Sequence, residues 1–148
     1  MKQGDLAPDF TLVDQNGTPH TLSDLVTRGP VVLFFYPAAM TAGCTKEACS
    51  FRDNGAEFSR FGAQRVGISM DSVDRQSEFS SQHGFDYPLL SDTDGAVASL
   101  YGVKRALGFL KVRRTTFVIN TDRTVRAVIS SEINMNAHVD QALAALGS

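Results

Sequence analysis

Val31-Val32-Leu33-Phe34-Phe35-Tyr36-Pro37-Ala38-Ala39-Met40-Thr41-Ala42-Gly43-Cys44 runs from an unbroken apolar stretch through a proline into small residues that end on a thiol. Val31 to Tyr36 has no polar interruption, which predicts a central strand covered on both faces. Pro37 ends that strand. From Cys44 onward, Cys44, Ala48, Phe51, Gly55 and Phe58 recur at spacings of four and three, which predicts one buried stripe on a single helix. Cys44 therefore sits at a strand-to-helix turn. Unpaired N–H groups and the positive end of the helix dipole at such a position favour thiolate over thiol, and the thiolate is the nucleophile.

On the N-terminal side, Asp9 to Asp14 reads as a strand, Gln15 to Thr18 as a turn, and Pro19 to Leu25 as a returning edge or short helix, together an N-terminal β-hairpin. On the C-terminal side, Gln64 to Met70 reads as the next buried strand and Ser72 to His83 as a helix stopped by Gly84. A short extended piece at Tyr87 to Leu90 precedes a short helix from Asp94 to Tyr101, with Val97, Leu100 and Tyr101 on one face. Thr115 to Ile119 and Val125 to Ile129 form a second hairpin through Asn120 to Arg123. Met135, Val139, Ala142, Leu143 and Leu146 carry the period of a closing helix. The order βαβ, then hairpin, then helix is that of an α/β thioredoxin-like fold, a central mixed sheet flanked by helices. No repeat or linker divides residues 1–148, so one domain is expected.

The chain has 148 residues, 43% hydrophobic and 20% charged, the balance of an ordinary globular protein that needs no disulfide staple. Its formal net charge of −2 gives no field that would draw it to nucleic acid or an anionic membrane. The longest apolar run falls far short of the ~20 residues of a membrane span, and the N-terminus lacks the apolar core of a secretory signal. A cytoplasmic protein is expected.

Cys49 is the only other cysteine. In a reducing compartment a close pair of cysteines means redox work, metal binding, or simply two small buried hydrophobes. C-x4-C supplies two zinc ligands at most, and His20, His83 and His138 stand singly, so no metal site is expected and each histidine reads as a surface or capping residue. The C-x-x-C spacing of dithiol oxidoreductases is absent. If both cysteines share one helix, five residues advance the chain by about 7.5 Å and rotate it by about 140°. A disulfide needs Cα atoms within roughly 6.8 Å and converging Cβ vectors. Such a bond would require the first helical turn to unwind.

Pro37 to Cys44 resembles the P-x-x-x-T-x-x-C signature of peroxiredoxins, and Gly43 to Asp53 resembles their bacterioferritin comigratory protein, or peroxiredoxin Q, subgroup. The resemblance continues through Gly4 to Phe10, Gly67 to Ser72, Pro88 to Asp92, Tyr101 to Val103 and Arg114 to Ile119. It implies a thiol-dependent peroxidase for hydrogen peroxide and organic hydroperoxides, with no cofactor, recycled by thioredoxin or a similar thiol reductant, and monomeric or weakly dimeric. Cys44 would be the peroxidatic nucleophile and Cys49 the resolving cysteine. Thr41 would accept the hydroperoxide proton or hydrogen-bond the peroxide oxygens, and could also face the thiolate. Arg114 would stabilise the thiolate and the departing oxygen, Pro37 would shield the site, and the N–H groups of Gly43 and Cys44 would be further donors. Glu47 either orients Arg114 or favours the helix dipole.

Each helper also has an ordinary reading: Pro37 as a strand end, Thr41 as a helix cap, Arg114 as a solvated residue. Ala38-Ala39-Met40 and Ala42 depart from the polar residues and the proline common in the subgroup, which makes the rim more apolar. Lys104, Arg105, Lys111, Arg113 and Arg114, with Phe109 among them, read as a solvated loop in preference to a phosphate-binding patch. The competing functions are a general thiol–disulfide oxidoreductase and a noncatalytic thioredoxin-fold binding module.

Overall fold

The computed structural model describes residues 1–106 and 111–148, so Phe109 of the basic stretch lies outside the described residues. Its elements are β1 (Thr11–Val13), β2 (Pro19–Thr21), α1 (Leu22–Leu25), β3 (Val31–Phe35), α2 (Ala42–Asp53), α3 (Gly55–Arg60), β4 (Gln64–Ser69), α4 (Val73–His83), β5 (Leu89–Ser91), α5 (Ala96–Leu100), β6 (Thr115–Ile119), β7 (Val125–Ser130) and α6 (Met135–Leu146). β1 and β2 form the expected N-terminal hairpin. The main sheet has the order β5-β4-β3-β6-β7, with β3, β4 and β5 parallel, β6 antiparallel to β3 and β7 antiparallel to β6. This is the mixed thioredoxin-like sheet.

Every residue of β3 is buried because both faces of the strand are covered. Val31, Leu33 and Phe35 point into a core closed by Leu22 and Leu25 of α1, Val97 and Ala98 of α5, and Tyr101. Val32, Phe34 and Tyr36 point the other way, onto Ala48 and Phe51 of α2, Phe58 of α3, Phe79 of α4, and Val139 and Ala142 of α6. The two-residue period of the strand sorts an unpatterned apolar run into two cores. Phe34 stacks on Phe51 with ring centroids 4.2 Å apart, anchoring the second half of α2 to the sheet.

Two expectations from the sequence need correction. The stripe from Cys44 to Phe58 is not one helix: α2 ends at Asp53, and Asn54, at φ −98° and ψ 18°, separates it from α3. The Asn54 side chain donates to Ser50 O at 2.8 Å, the local competition with the backbone that makes asparagine a poor helix-interior residue. Phe51 and Phe58 still share a core because the bend is small enough to keep their rings 5.6 Å apart. Second, Leu100 is 56% exposed, whereas Val97, Ala98 and Tyr101 are buried. α5 has only five residues and turns its 97-98-101 edge to the core, leaving Leu100 on the far side.

Candidate active site

The site forms where the C-terminal end of β3, the N-terminus of α2 and the start of β6 converge. Pro37 is buried just beyond β3, and Tyr36 N–H is still held by Ile68 O at 3.0 Å. Antiparallel pairing sets Phe35 opposite Thr115, so Arg114, the residue just before β6, falls beside the end of β3. Arg114 and Thr116 occupy alternate positions and share the sheet face that carries α2 and α6. Register and pleat thus bring a residue seventy positions away to the cysteine.

In α2, Thr45 N–H closes the first turn onto Thr41 O at 2.9 Å. The N–H groups of Ala42, Gly43 and Cys44 precede that bond and have no carbonyl within the helix to donate to. Cys44 is 1% exposed, and its Sγ lies 3.3 Å from Nη2 of Arg114. The other prong, Nη1, donates to Oε1 of Glu47 at 2.8 Å. Burial works against the guanidinium's charge, but Glu47 and then Cys44 outweigh it and hold Arg114 above its ordinary value. Arg114 is therefore neither solvated nor part of a free basic patch. Its Nε is buried without a hydrogen-bond partner among the described residues, a donor left unused by the protein.

Gly43 makes the close approach of Arg114 possible. A Cβ there would stand 3.3 Å from Nη2 of Arg114 and 3.6 Å from Cε of Met135. Thr41 is the N-cap residue by backbone geometry, but its hydroxyl caps nothing. It donates to Ala38 O at 2.9 Å instead of facing the thiol, because the loop from Ala38 turns back through Met40 at φ 65°. Its oxygen lone pairs remain open toward solvent. Cys49 is half-buried further along α2, and both cysteines are free thiols on a formed helix.

Glu47 sits wholly buried in the first turns of α2, with its Oε1 paired to Arg114 at 2.8 Å. Burial pushes its carboxyl up to about 7 against the downward pull of Arg114. Behind it stands a residue that the sequence reading placed elsewhere. His138 is neither at the surface nor a cap: it is 0% exposed, with Nδ1 2.8 Å from Thr116 Oγ1, Nε2 2.8 Å from Ser131 O, and Nδ1 3.5 Å from Glu47 Oε2. It lies on the α6 stripe one position before Val139, a place that the 3.6 period marks as inward-facing.

A second support escaped the sequence reading because its partners are 32 positions apart. Asp71, just after β4, accepts Ala39 N–H at 2.7 Å and Ser69 Oγ at 2.7 Å, while Arg75 donates to Asp71 at 3.1 Å and to Ala39 O at 3.4 Å. These bonds clamp both polar groups of Ala39 in the loop that carries Thr41. Gln76 extends the network inward, donating to Ser69 Oγ and Leu90 O and accepting from the Tyr36 hydroxyl. The basic stretch is likewise divided: Arg105 pairs with Glu132 at 2.9 Å and Lys104 reaches Asp94 O, whereas Lys111 and Arg113 are exposed. Among the described residues no cluster of three or more metal-ligating side chains occurs. Among the described residues no helix is long and apolar enough to cross a membrane.

Comparison with known proteins gives a consistent set of relatives. Residues 3–128 match the model of the AhpC/TSA family. The chain is 38% identical over 148 residues to the chloroplastic peroxiredoxin Q of Sedum lineare, covering 100% of this chain and 79% of that one. The solved structure of peroxidoxin BcpB from Mycobacterium tuberculosis superposes with a TM-score of 0.95 at 60% identity, covering 99% of this chain and 97% of that one. The bacterioferritin comigratory protein of Xanthomonas campestris, described for its alkyl peroxide reduction activity, superposes with a TM-score of 0.85 at 31% identity, over 93% and 90% of the two chains.

Proposed function

The chain belongs to the AhpC/TSA family as a peroxiredoxin of the peroxiredoxin Q and bacterioferritin comigratory type, a thiol-dependent peroxidase, and from that premise we propose that Cys44 attacks the peroxide and Cys49 resolves the product. The observation that carries the assignment is the 3.3 Å contact between Arg114 Nη2 and Cys44 Sγ at a helix N-terminus. A buried cation and the end of a helix dipole stabilise negative charge on that sulfur, and a thiolate is the attacking form.

The Cys44 thiolate attacks the outer oxygen of a hydroperoxide; the S–O bond forms as the O–O bond breaks. Sulfur is oxidised to sulfenate while the hydroperoxide's own proton passes to the departing oxygen, which leaves as water or an alcohol, and the sulfenate takes a proton from solvent to become sulfenic acid. Nη2 and the unused Nε of Arg114, with the N–H groups of Ala42, Gly43 and Cys44, are donors for the charge that develops on the departing oxygen. Thr41, whose own hydrogen is spent on Ala38 O, offers a lone pair to the hydroperoxide O–H. Pro37, buried just beyond the end of β3, keeps bulk water from the sulfur. Ala38, Met40 and Ala42 give the rim an apolar character compatible with organic hydroperoxides as well as hydrogen peroxide.

In the second step the Cys49 thiol attacks Cys44 Sγ, forming the disulfide and releasing the hydroxyl as water. A thioredoxin-like dithiol then supplies two electrons and restores both cysteines. The cytoplasm, where such reductants operate, is the proposed compartment. Stopped-flow addition of hydrogen peroxide with thiol counting tests the scheme. Rapid loss of two thiols per chain, abolished by Cys44→Ser, is expected; oxidation at the pace of a free cysteine, unaffected by Cys44→Ser, would refute it.

A further inference from the structure

Glu47 Oε1 is paired with Arg114, but Glu47 Oε2 is buried with no hydrogen-bond partner among the described residues. The atom facing it is Nδ1 of His138, 3.5 Å away. Ser131 O accepts only, so Nε2 of His138 carries a hydrogen and donates to it. In a neutral ring Nδ1 is then a lone pair, which the Thr116 hydroxyl satisfies at 2.8 Å. An ionised Glu47 would set a second lone pair against the first. One proton placed on Oε2 or on Nδ1 turns that contact into an attraction, so the geometry suits a pair holding a single proton.

The charged and titratable groups around this pair come from every packed element. Arg114, just ahead of β6, lowers the proton affinity of both members, while Glu132, on the β7–α6 connection, raises it. Cys44 lies one turn back on α2, across the guanidinium. Tyr87, ahead of β5, is held neutral by burial and donates its hydroxyl to Ala48 O.

We propose that His138 is a positioning residue for peroxide reduction: with Glu47 it holds one shared proton, and so sets how fully the Arg114 guanidinium is available to the Cys44 sulfur. When the pair holds its proton, Glu47 and His138 are together neutral, and the single positive charge of Arg114 faces the thiolate alone. When the proton leaves, the carboxylate and the thiolate divide one cation. Burial disfavours the charged form of each member, raising Glu47 to about 7 and depressing His138, so a single proton held between them leaves the pair neutral. The inference rests on Cys44 being the attacking thiol.

The test is the single-turnover rate of oxidation by hydrogen peroxide between about pH 5 and 9, in wild type, His138→Gln, His138→Leu and Glu47→Gln, with circular dichroism as a check on folding. Gln at position 138 keeps an N–H for Ser131 O and an oxygen for Thr116, but binds no proton. The wild-type profile should show an ionisation beyond that of the thiol, with the rate falling on its alkaline side. Glu47→Gln should remove that ionisation, and His138→Gln should move its midpoint by more than about half a pH unit. His138→Leu should slow the reaction about tenfold or more at neutral pH. A His138→Gln profile that superposes on the wild type overturns the proposal, as does a uniform loss of rate with the midpoint unmoved, the mark of a purely structural role. If His138→Leu does not fold, His138→Gln and Glu47→Gln decide the matter. A Cys44→Ser variant that still consumes peroxide would instead refute the assignment of the thiol.

Discussion

Arg114 and Cys44 meet with Nη2 3.3 Å from Sγ, across a buried site in which the same guanidinium is also held by Glu47 at 2.8 Å. One planar group with two prongs satisfies the carboxylate and the sulfur together. Lysine offers a point charge and cannot span both. Arg114→Lys should lower the rate constant for hydrogen peroxide by about 10- to 150-fold, the equivalent of the 1.5–3 kcal/mol of a charge-assisted hydrogen bond. A rate within twofold of wild type by stopped-flow competition would show that the contact is incidental.

Gly43 leaves the space through which Arg114 reaches the sulfur, and a methyl group there would stand 3.3 Å from Nη2. Gly43→Ala should push the guanidinium by a few tenths of an ångström and slow peroxide reduction about 3- to 10-fold. Alanine is the better helix former, so thermal stability should hold or rise. Activity and melting temperature moving in opposite directions is the diagnostic outcome; unchanged activity would mean that Arg114 has room to spare.

Glu47 should make stability depend on pH in an unusual direction. Its carboxyl is raised to about 7 in the folded protein from 4.5, because burial disfavours the charge more than Arg114 favours it. The stabilisation from this group is therefore complete below about pH 4.5 and is lost as pH rises through 7. Glu47→Gln cannot ionise, so between these limits its stability should rise relative to wild type by on the order of 3 kcal/mol. Paired denaturant titrations at pH 4.5 and pH 8 measure the difference; equal gaps at both would show that Glu47 ionises freely in the fold.

Oxidation should unwind the first half of α2. Two free cysteines five positions apart on a formed helix cannot bond in place, whereas the Phe51 ring stacked on Phe34 holds the second half to the sheet. Hydrogen exchange after one equivalent of peroxide should show protection lost across residues 42–49 and retained near Phe51. In Cys49→Ser the first oxidation should stop at a sulfenic acid that dimedone traps, with the helix still protected. Full protection in the oxidised wild type would exclude the Cys44–Cys49 disulfide.

Elements driven by local pattern were readable in advance. β3 follows from its apolar run, α4 from a helix read over Ser72 to His83 and stopped by Gly84, which the structure caps at Ser72 and ends at Gly84 in the left-handed conformation, and the hairpins from their turns. Apolar spacing misleads where another feature sets the local outcome. Asn54 breaks a stripe that the apolar spacing runs straight through, and α5 turns its 97-98-101 edge to the core, leaving Leu100 outside. His138 was misplaced for a different reason. A polar residue next to an apolar stripe is assigned to water unless its partners are known, and Thr116, Glu47 and Ser131 come from three other parts of the chain.

The sequence by itself determined the mixed α/β architecture and the position of Cys44 at a helix start, because both follow from periods and turn chemistry within a few residues. It also carried, through its motifs, the resemblance that set Thr41 and Arg114 beside the thiol. Only the tertiary structure decided how the site is charged. β3–β6 register and the alternation of the strand put Arg114 and Thr116 on the face that α2 and α6 cover, sealing Glu47 and His138 from water. Proton affinity in such a place is governed by burial and by neighbours distant in the chain, and no local pattern encodes either.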